Sequence, residues 1–195
     1  MCGRFALRNP EPIKDYFHVQ DLEGSFNIAP GQNILTLGNK PNFIRWGFTP
    51  YWAEKPFNLI NARIETLSEL PSFKNSNRCL IPADGWYEWK SVDDTKIPFF
   101  HYLKNNFFCF AGLYGGYRGK VGCAIVTIES RNHLRAIHKR MPLLLDKMYY
   151  KDWLNSRDID LSNTNLAEKI KFHEVSTYVN NPQHDDARCI EEKLT

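Results

Sequence analysis

No stretch of this chain approaches the run of about 18 apolar residues that a membrane-spanning helix needs, so no membrane partner is expected. There is no Cys-x-x-Cys pair, which argues against a structural zinc site, and no metal is expected. The five cysteines (Cys2, Cys79, Cys109, Cys123 and Cys189) are odd in number and follow no secretory signal, so a disulfide framework is not expected either. Internal repeats and low-complexity linkers are also missing. The 195 residues suit one domain with a sizeable core and would cramp two, and residues 1–195 are read as a single domain. A strong charge excess is lacking as well: 25 Lys and Arg against 22 Asp and Glu leave a net charge of +3. That balance permits contact with nucleic acid without arguing for it, so any such contact has to come from a local cluster. The expected compartment is the cytoplasm, and the expected state is a monomer.

Aromatic residues, by contrast, are plentiful. They make up 14% of the chain and include five Trp, more than a small core requires, which leaves some for platforms facing a flat ligand. Short runs of strand composition bounded by Gly, Pro and Asn dominate, among them "GQNILTLG" from Gly31 and "NFIRWGF" from Asn42. "RCLIPADGWYEWK" from Arg78 predicts a strand, a turn at Asp84–Gly85 and a second strand. "IPFFHYL" and "FFCFAGLY" flank Lys104–Asn106 as an expected hairpin, and "VGCAIVTI" from Val121 predicts a central buried strand. Helices are fewer. Pro10 and Pro12 open a short one through Tyr16. "ARIETLSEL" from Ala62 has helical character, Asp146 is placed to cap "KMYYKDWLN" with Met148, Tyr149 and Trp153 on one face, and Asn165 with Glu168 suggests a capping pair. Strands and helices do not alternate regularly, which disfavours a doubly wound fold and predicts an α+β class with a mostly antiparallel sheet. Cys79, Cys109 and Cys123 lie in apolar runs and read as buried small hydrophobes, and Trp46 and Trp86 as core.

The most distinctive chemistry is at the start. Cys2 directly follows Met1, so removal of Met1 would expose an α-amine and a thiol on one residue. Such a 1,2-aminothiol attacks an aldehyde through its amine to give a Schiff base, and the thiol closes on the imine carbon as a thiazolidine. The second step is intramolecular and traps the first. The ring-opened sugar of a DNA abasic site is an aldehyde of this kind. Gly3 permits close backbone approach, and Arg4 beside the thiol is expected to favour thiolate.

The blocks "MCGRF", "FNIAPG" from Phe26, "WGFTPYWA" from Trp46, "NARIET" from Asn61, "PADGWYEW" from Pro82, "FAGLY" from Phe110, "VTIES" from Val126 and "IHKRMP" from Ile137 occur in order along the chain. Together with "VSTYVNNP" from Val175 they resemble the SRAP (SOS-response-associated peptidase) family, whose members include bacterial and animal abasic-site shields. The resemblance implies the SRAP fold, a barrel-like, mostly antiparallel sheet flanked by a few helices. It also implies a catalytic set of Cys2, Asn61, Glu88 and His138 that needs no cofactor. Asn61 would orient the sugar or the Cys2 amine. Glu88 between Tyr87 and Trp89 would have its pKa raised by desolvation, although periodicity does not say which face of its strand meets the site. His138 would shuttle protons, while by itself a His beside Lys139 and Arg140 reads equally as solvated surface.

By the same resemblance Arg63 and Arg140 hold phosphates that flank the lesion, with a contribution from Arg4. Trp52 and Tyr51 match an aromatic pair that stacks on or wedges between bases, with Tyr where Trp is usual at the first position. Asn27 and Pro30 would shape the rim, and Thr127 is either a hydroxyl near the site or a β-branched strand residue. Tyr114 and Glu129 depart from the family's usual residues without touching the catalytic set.

The implied activity is covalent capture of abasic sites in single-stranded DNA, shielding the lesion, with AP-lyase, crosslink-reversal and autopeptidase chemistry in reach of the same groups. Competing readings are a thiol autopeptidase without crosslinking, an N-terminal-nucleophile glutamine amidotransferase and a non-catalytic single-strand binder.

Overall fold

β-Branched and aromatic runs broken by turn residues build two sheets in the computed structural model, which describes residues 2–157, 159–160 and 165–193. Among the described residues the strands are β1 (Phe5–Leu7), β2 (Ser25–Ile28), β3 (Asn33–Leu37), β4 (Pro41–Trp46), β5 (Asn61–Arg63), β6 (Asn77–Ala83) and β7 (Gly85–Val92). They continue with β8 (Thr95–Tyr102), β9 (Phe108–Tyr117), β10 (Lys120–Glu129), β11 (Arg140–Pro142), β12 (Leu144–Leu145) and β13 (Lys171–Glu174). The helices are short: α1 (Glu11–Phe17), α2 (Tyr150–Leu154) and α3 (Leu166–Lys169). None of the described helices is long and apolar enough to cross a membrane.

One sheet has the order β13-β8-β7-β1-β2 and the other β11-β10-β4-β3-β6-β9-β12. Pairing is antiparallel throughout, except that β10 runs parallel to β4 and to β5. The larger sheet curls, because β9 also pairs with β10. Its seam between β3 and β6 rests on one register pair, Leu37 with Leu80, so the sheet is not a closed barrel. The α+β class with mostly antiparallel sheet is therefore as the sequence predicts.

The core fills the space between the sheets. Phe5 of β1 packs edge-on against Trp46 and Phe110, with ring centroids 5.3 and 5.7 Å apart, and Trp86 of β7 packs against Phe108. Trp46, Trp86, Cys79, Cys109 and Cys123 are all buried. A second cluster (Ala6, Tyr87, Phe100, Val175, Val179 and Cys189) covers the opposite face of β7. Both faces of β7 are thus buried, and this is why alternation alone does not assign Glu88 to a side. Gly85 permits the crossing between sheets, since a Cβ there would lie 2.2 Å from the Phe100 ring.

Several local expectations fail for non-local reasons. Residues 61–63 form a strand rather than a helix start, because Asn61, Ala62 and Arg63 pair in register with Ile125, Val126 and Thr127; only a 3-10 turn, Ile64–Thr66, follows. β8 and β9 do not form a hairpin, since β8 lies in one sheet and β9 in the other; each pairs instead with its other chain neighbour, as the hairpins β7–β8 and β9–β10. Neither the Asp146 nor the Asn165 side chain caps a helix. Met148 is 74% exposed, and it is Tyr150 and Trp153 that turn inward.

Candidate functional site

The site begins with β1, which lies between β2 and β7. Phe5 pairs with Trp86 and Ala6 with Gly85, and the Tyr87 N–H donates to the Arg4 carbonyl at 3.0 Å. The same antiparallel register sets residues 2 and 3 alongside Glu88 and Trp89. Cys2 is fully buried, and its Sγ points a weak 3.8 Å hydrogen bond at the Arg4 carbonyl. Burial pushes the thiol well above its ordinary pKa, and the neighbouring Glu88 charge pushes it further. The expectation that Arg4 favours thiolate is corrected, because the Arg4 guanidinium points elsewhere. It donates to Asn27 Oδ1 at 2.8 Å and to the Val179 and Asn180 carbonyls at 2.9 and 3.4 Å.

Asn27 is the other half of that clamp. Its buried amide nitrogen donates to the carbonyls of Val179, Asn181 and His184, and Asp185 receives the Phe26 and Asn27 N–H groups. The C-terminal turn Thr177–Asn180 is thereby tied to the base of the N-terminal strand, where it lines the cleft in front of Glu88.

Glu88 is 3% exposed, and burial raises its carboxyl to about 7, so both protonation states are populated near neutrality. His138 Nδ1 lies 3.8 Å from Glu88 Oε2. Burial lowers the His138 pKa, which favours neutral imidazole. Its Nδ1 also faces the Arg140 backbone, 3.0 Å from the carbonyl and 3.1 Å from the N–H, so the tautomer decides which contact forms. Arg4, Glu88, Trp89, Ser91, Lys96, His138 and Asn180 line a cleft of about 470 Å³.

Asn61 stands on β5, opposite Ile125 of β10. Both polar atoms of its side-chain amide are buried, and among the described residues neither has a hydrogen-bond partner. Leaving such a group unsatisfied costs about 1–3 kcal/mol, a cost expected at a site kept ready for a ligand.

A second group gathers two residues further along. Thr127 is fully buried and donates from Oγ1 to the Ala62 carbonyl at 3.4 Å. Arg140 Nη2 donates to the Thr127 carbonyl at 2.7 Å and to its Oγ1 at 3.2 Å. The outward edge of the Arg140 fork meets Glu65 in two bonds of 2.7 and 3.0 Å. Arg63 is exposed, and its guanidinium makes no side-chain hydrogen bond among the described residues. Exposed aromatics form a third feature. Tyr51 and Trp52 are 61% and 48% exposed on the β4–β5 connection, and Phe57 stands edge-on to Trp52 with centroids 6.2 Å apart.

The structure thus brings Cys2, Glu88 and His138 together, and joins His138 to the Arg140–Thr127 group through the short β11 edge. It does not place Pro30 on the Glu88 cleft; Pro30 sits in the turn before Gly31. Met1 lies outside the described residues. Sequence reasoning missed Glu65, Phe57, Lys96 and Asn180. Glu65 and Asn180 sit inside blocks already singled out, whereas Lys96 reaches the rim only through the β7–β8 hairpin. Among the described residues, no cluster of three His, Cys, Asp or Glu side chains is arranged to hold a metal.

A family model described as SOS response associated peptidase (SRAP) matches residues 1–182. The abasic site processing protein YoqW of Bacillus subtilis is 39% identical over 98% of this chain and 99% of its own length. The abasic site processing protein YedK of Escherichia coli is 32% identical over the same shares. Among solved structures, a Bacteroides thetaiotaomicron protein superposes with a TM-score of 0.82 at 21% identity, covering 99% of this chain and all of that one.

Proposed function

The chain belongs to the SOS response associated peptidase family, and from that premise we propose that it captures abasic sites in single-stranded DNA as a thiazolidine on Cys2, acting as one domain over residues 1–195. The observation that carries this reading is the buried Glu88 carboxyl, titrating near neutrality, beside Cys2 and 3.8 Å from His138. Once Met1 is removed, the Cys2 amine adds to the C1′ aldehyde of the opened sugar. The resulting carbinolamine loses water to give the imine. Protonated Glu88 is suited to donate the proton with which that hydroxyl leaves. The thiol then adds across the C=N bond: sulfur bonds to carbon, and a proton ends on nitrogen. A thiol held neutral by burial needs a base at this step, and the carboxylate left by the first proton transfer supplies one. The same cycle run backwards returns the aldehyde, so Glu88 serves reversal as well.

Asn61 supports the reading because its vacant amide suits a sugar hydroxyl or the imine nitrogen. Arg63 is free to hold a phosphate, and Tyr51 and Trp52 offer faces for unpaired bases. We assign Arg4 a positioning role alongside DNA contact, since its Nη1 already donates to Asn27 and Val179 while the side chain still lines the cleft. A second reading, autolytic removal of Met1 with Cys2 as nucleophile, uses the same three groups and would unmask the aminothiol.

The test is a denaturing gel of the protein with single-stranded DNA carrying one abasic site. A heat-stable shifted band that is absent in Cys2→Ala and slowed in Glu88→Gln supports capture. No band from protein whose intact mass shows Met1 removed overturns it.

A further inference from the structure

Arg140 holds its guanidinium in a fixed place. One edge is bolted to Thr127, and the side chain is 13% exposed. The other edge faces Glu65, which closes a bidentate pair and is 48% exposed. A carboxylate and a phosphodiester each present two oxygens and one negative charge to such a fork. Glu65 therefore occupies the position a backbone phosphate would take at Arg140. It also lies two residues from exposed Arg63 and halves the net positive charge of the Arg63–Arg140 pair. Hydrogen bonding to Arg140 lowers the Glu65 pKa, so the carboxylate is ionised at neutral pH.

We propose that Glu65 is a built-in anionic competitor for DNA phosphate at Arg140, and that it sets the discrimination between lesion-bearing and intact single strands. The proposal rests on the functional reading above. An intact strand binds only through reversible contacts, and each of these has to displace Glu65. A half-exposed ion pair is weak, so displacement is easy but not free. An abasic strand bears the same cost, but the covalent bond that follows outweighs it and makes the capture insensitive to it. The carboxylate thus weakens idle binding more than it weakens capture. It also holds Arg140 extended, ready to exchange one pair of oxygens for another.

The experiment is fluorescence anisotropy with a lesion-free oligothymidylate at several salt concentrations, for the native protein, Glu65→Gln, Arg140→Ala and the double variant. Capture of an abasic oligonucleotide is followed in parallel on a denaturing gel. Glu65→Gln is expected to tighten lesion-free binding roughly two- to five-fold, the scale of one exposed charge pair. The salt slope should steepen, by at most about 0.7, the value for one further phosphate neutralised on a single strand, because the site keeps one more net positive charge. The gain should vanish in the Arg140→Ala background. Excess lesion-free strand should inhibit capture at lower concentration in Glu65→Gln than in the native protein. Unchanged or weaker lesion-free binding by Glu65→Gln, with native capture intact, overturns the competitor role and makes Glu65 a support for Arg140. A gain that persists without Arg140 also overturns it. Failure of the native protein to capture the lesion instead overturns the functional reading itself.

Discussion

Replacing Glu88 by Gln should make the protein more stable at high pH while slowing its chemistry. A carboxyl with an ordinary pKa of 4.5 sits at about 7 in the fold, because burial disfavours its charge. The folded state therefore holds its proton where the unfolded chain has released it. Stability from this residue is fully present below pH 4.5 and falls as pH rises through 7. At about 1.36 kcal/mol per tenfold change in proton affinity, the loss is about 3 kcal/mol. Gln keeps the shape and has no charge to bury. Urea unfolding of both proteins from pH 4.5 to 8 isolates the residue as a difference between curves. The variant should gain about 3 kcal/mol relative to the native protein across that window, with most of the change between pH 5 and 7. A difference that stays constant with pH would show that Glu88 is solvated and titrates normally, and the acid–base role would lose its physical basis.

Asn61→Leu should raise stability by about 1–3 kcal/mol, because it removes a buried amide with no partner, while abolishing capture; destabilisation in thermal melts would mean the amide is satisfied after all. Trp52→Ala should leave the melting temperature nearly unchanged and weaken binding to lesion-free single strands by about 1–3 kcal/mol in anisotropy titrations, and unaltered affinity would remove the stacking role. Asp84→Ala should cost about 2–3 kcal/mol in urea unfolding. Its buried carboxylate accepts from the Arg8 and Asn9 N–H groups and from Arg8 Nε, and a loss below 0.5 kcal/mol would contradict that network.

The proposed chemistry was read from residues whose own groups suggest it: a Cys exposed at the N-terminus would carry its reaction with it, and the ordered blocks singled out Asn61, Glu88 and His138 as candidates. The fold class followed from strand-rich runs and sparse helix signals. What depended on partners distant in sequence was not legible. Residues 61–63 have helical character locally, but they become a strand because β10 offers them a parallel edge. Alternation along β7 could not choose a face, because the C-terminal segment buries the face opposite the main core. Arg4 looks like a thiolate-stabilising charge beside Cys2, yet Val179 and Asn27, far along the chain, take its hydrogen bonds. Arg140 reads as a free phosphate ligand until the β5–β10–β11 arrangement sets Glu65 against it.

The central claim is that Cys2 carries the covalent link, and peptide mapping by mass spectrometry tests it most directly. The protein would be incubated with an abasic single-stranded oligonucleotide, treated with nuclease and digested with a protease. The account predicts a sugar-phosphate remnant on the N-terminal peptide, assigned by fragmentation to Cys2, with the mass of an adduct formed by loss of one water. A remnant on a lysine, or on the N-terminal peptide of Cys2→Ala in equal yield, would contradict it.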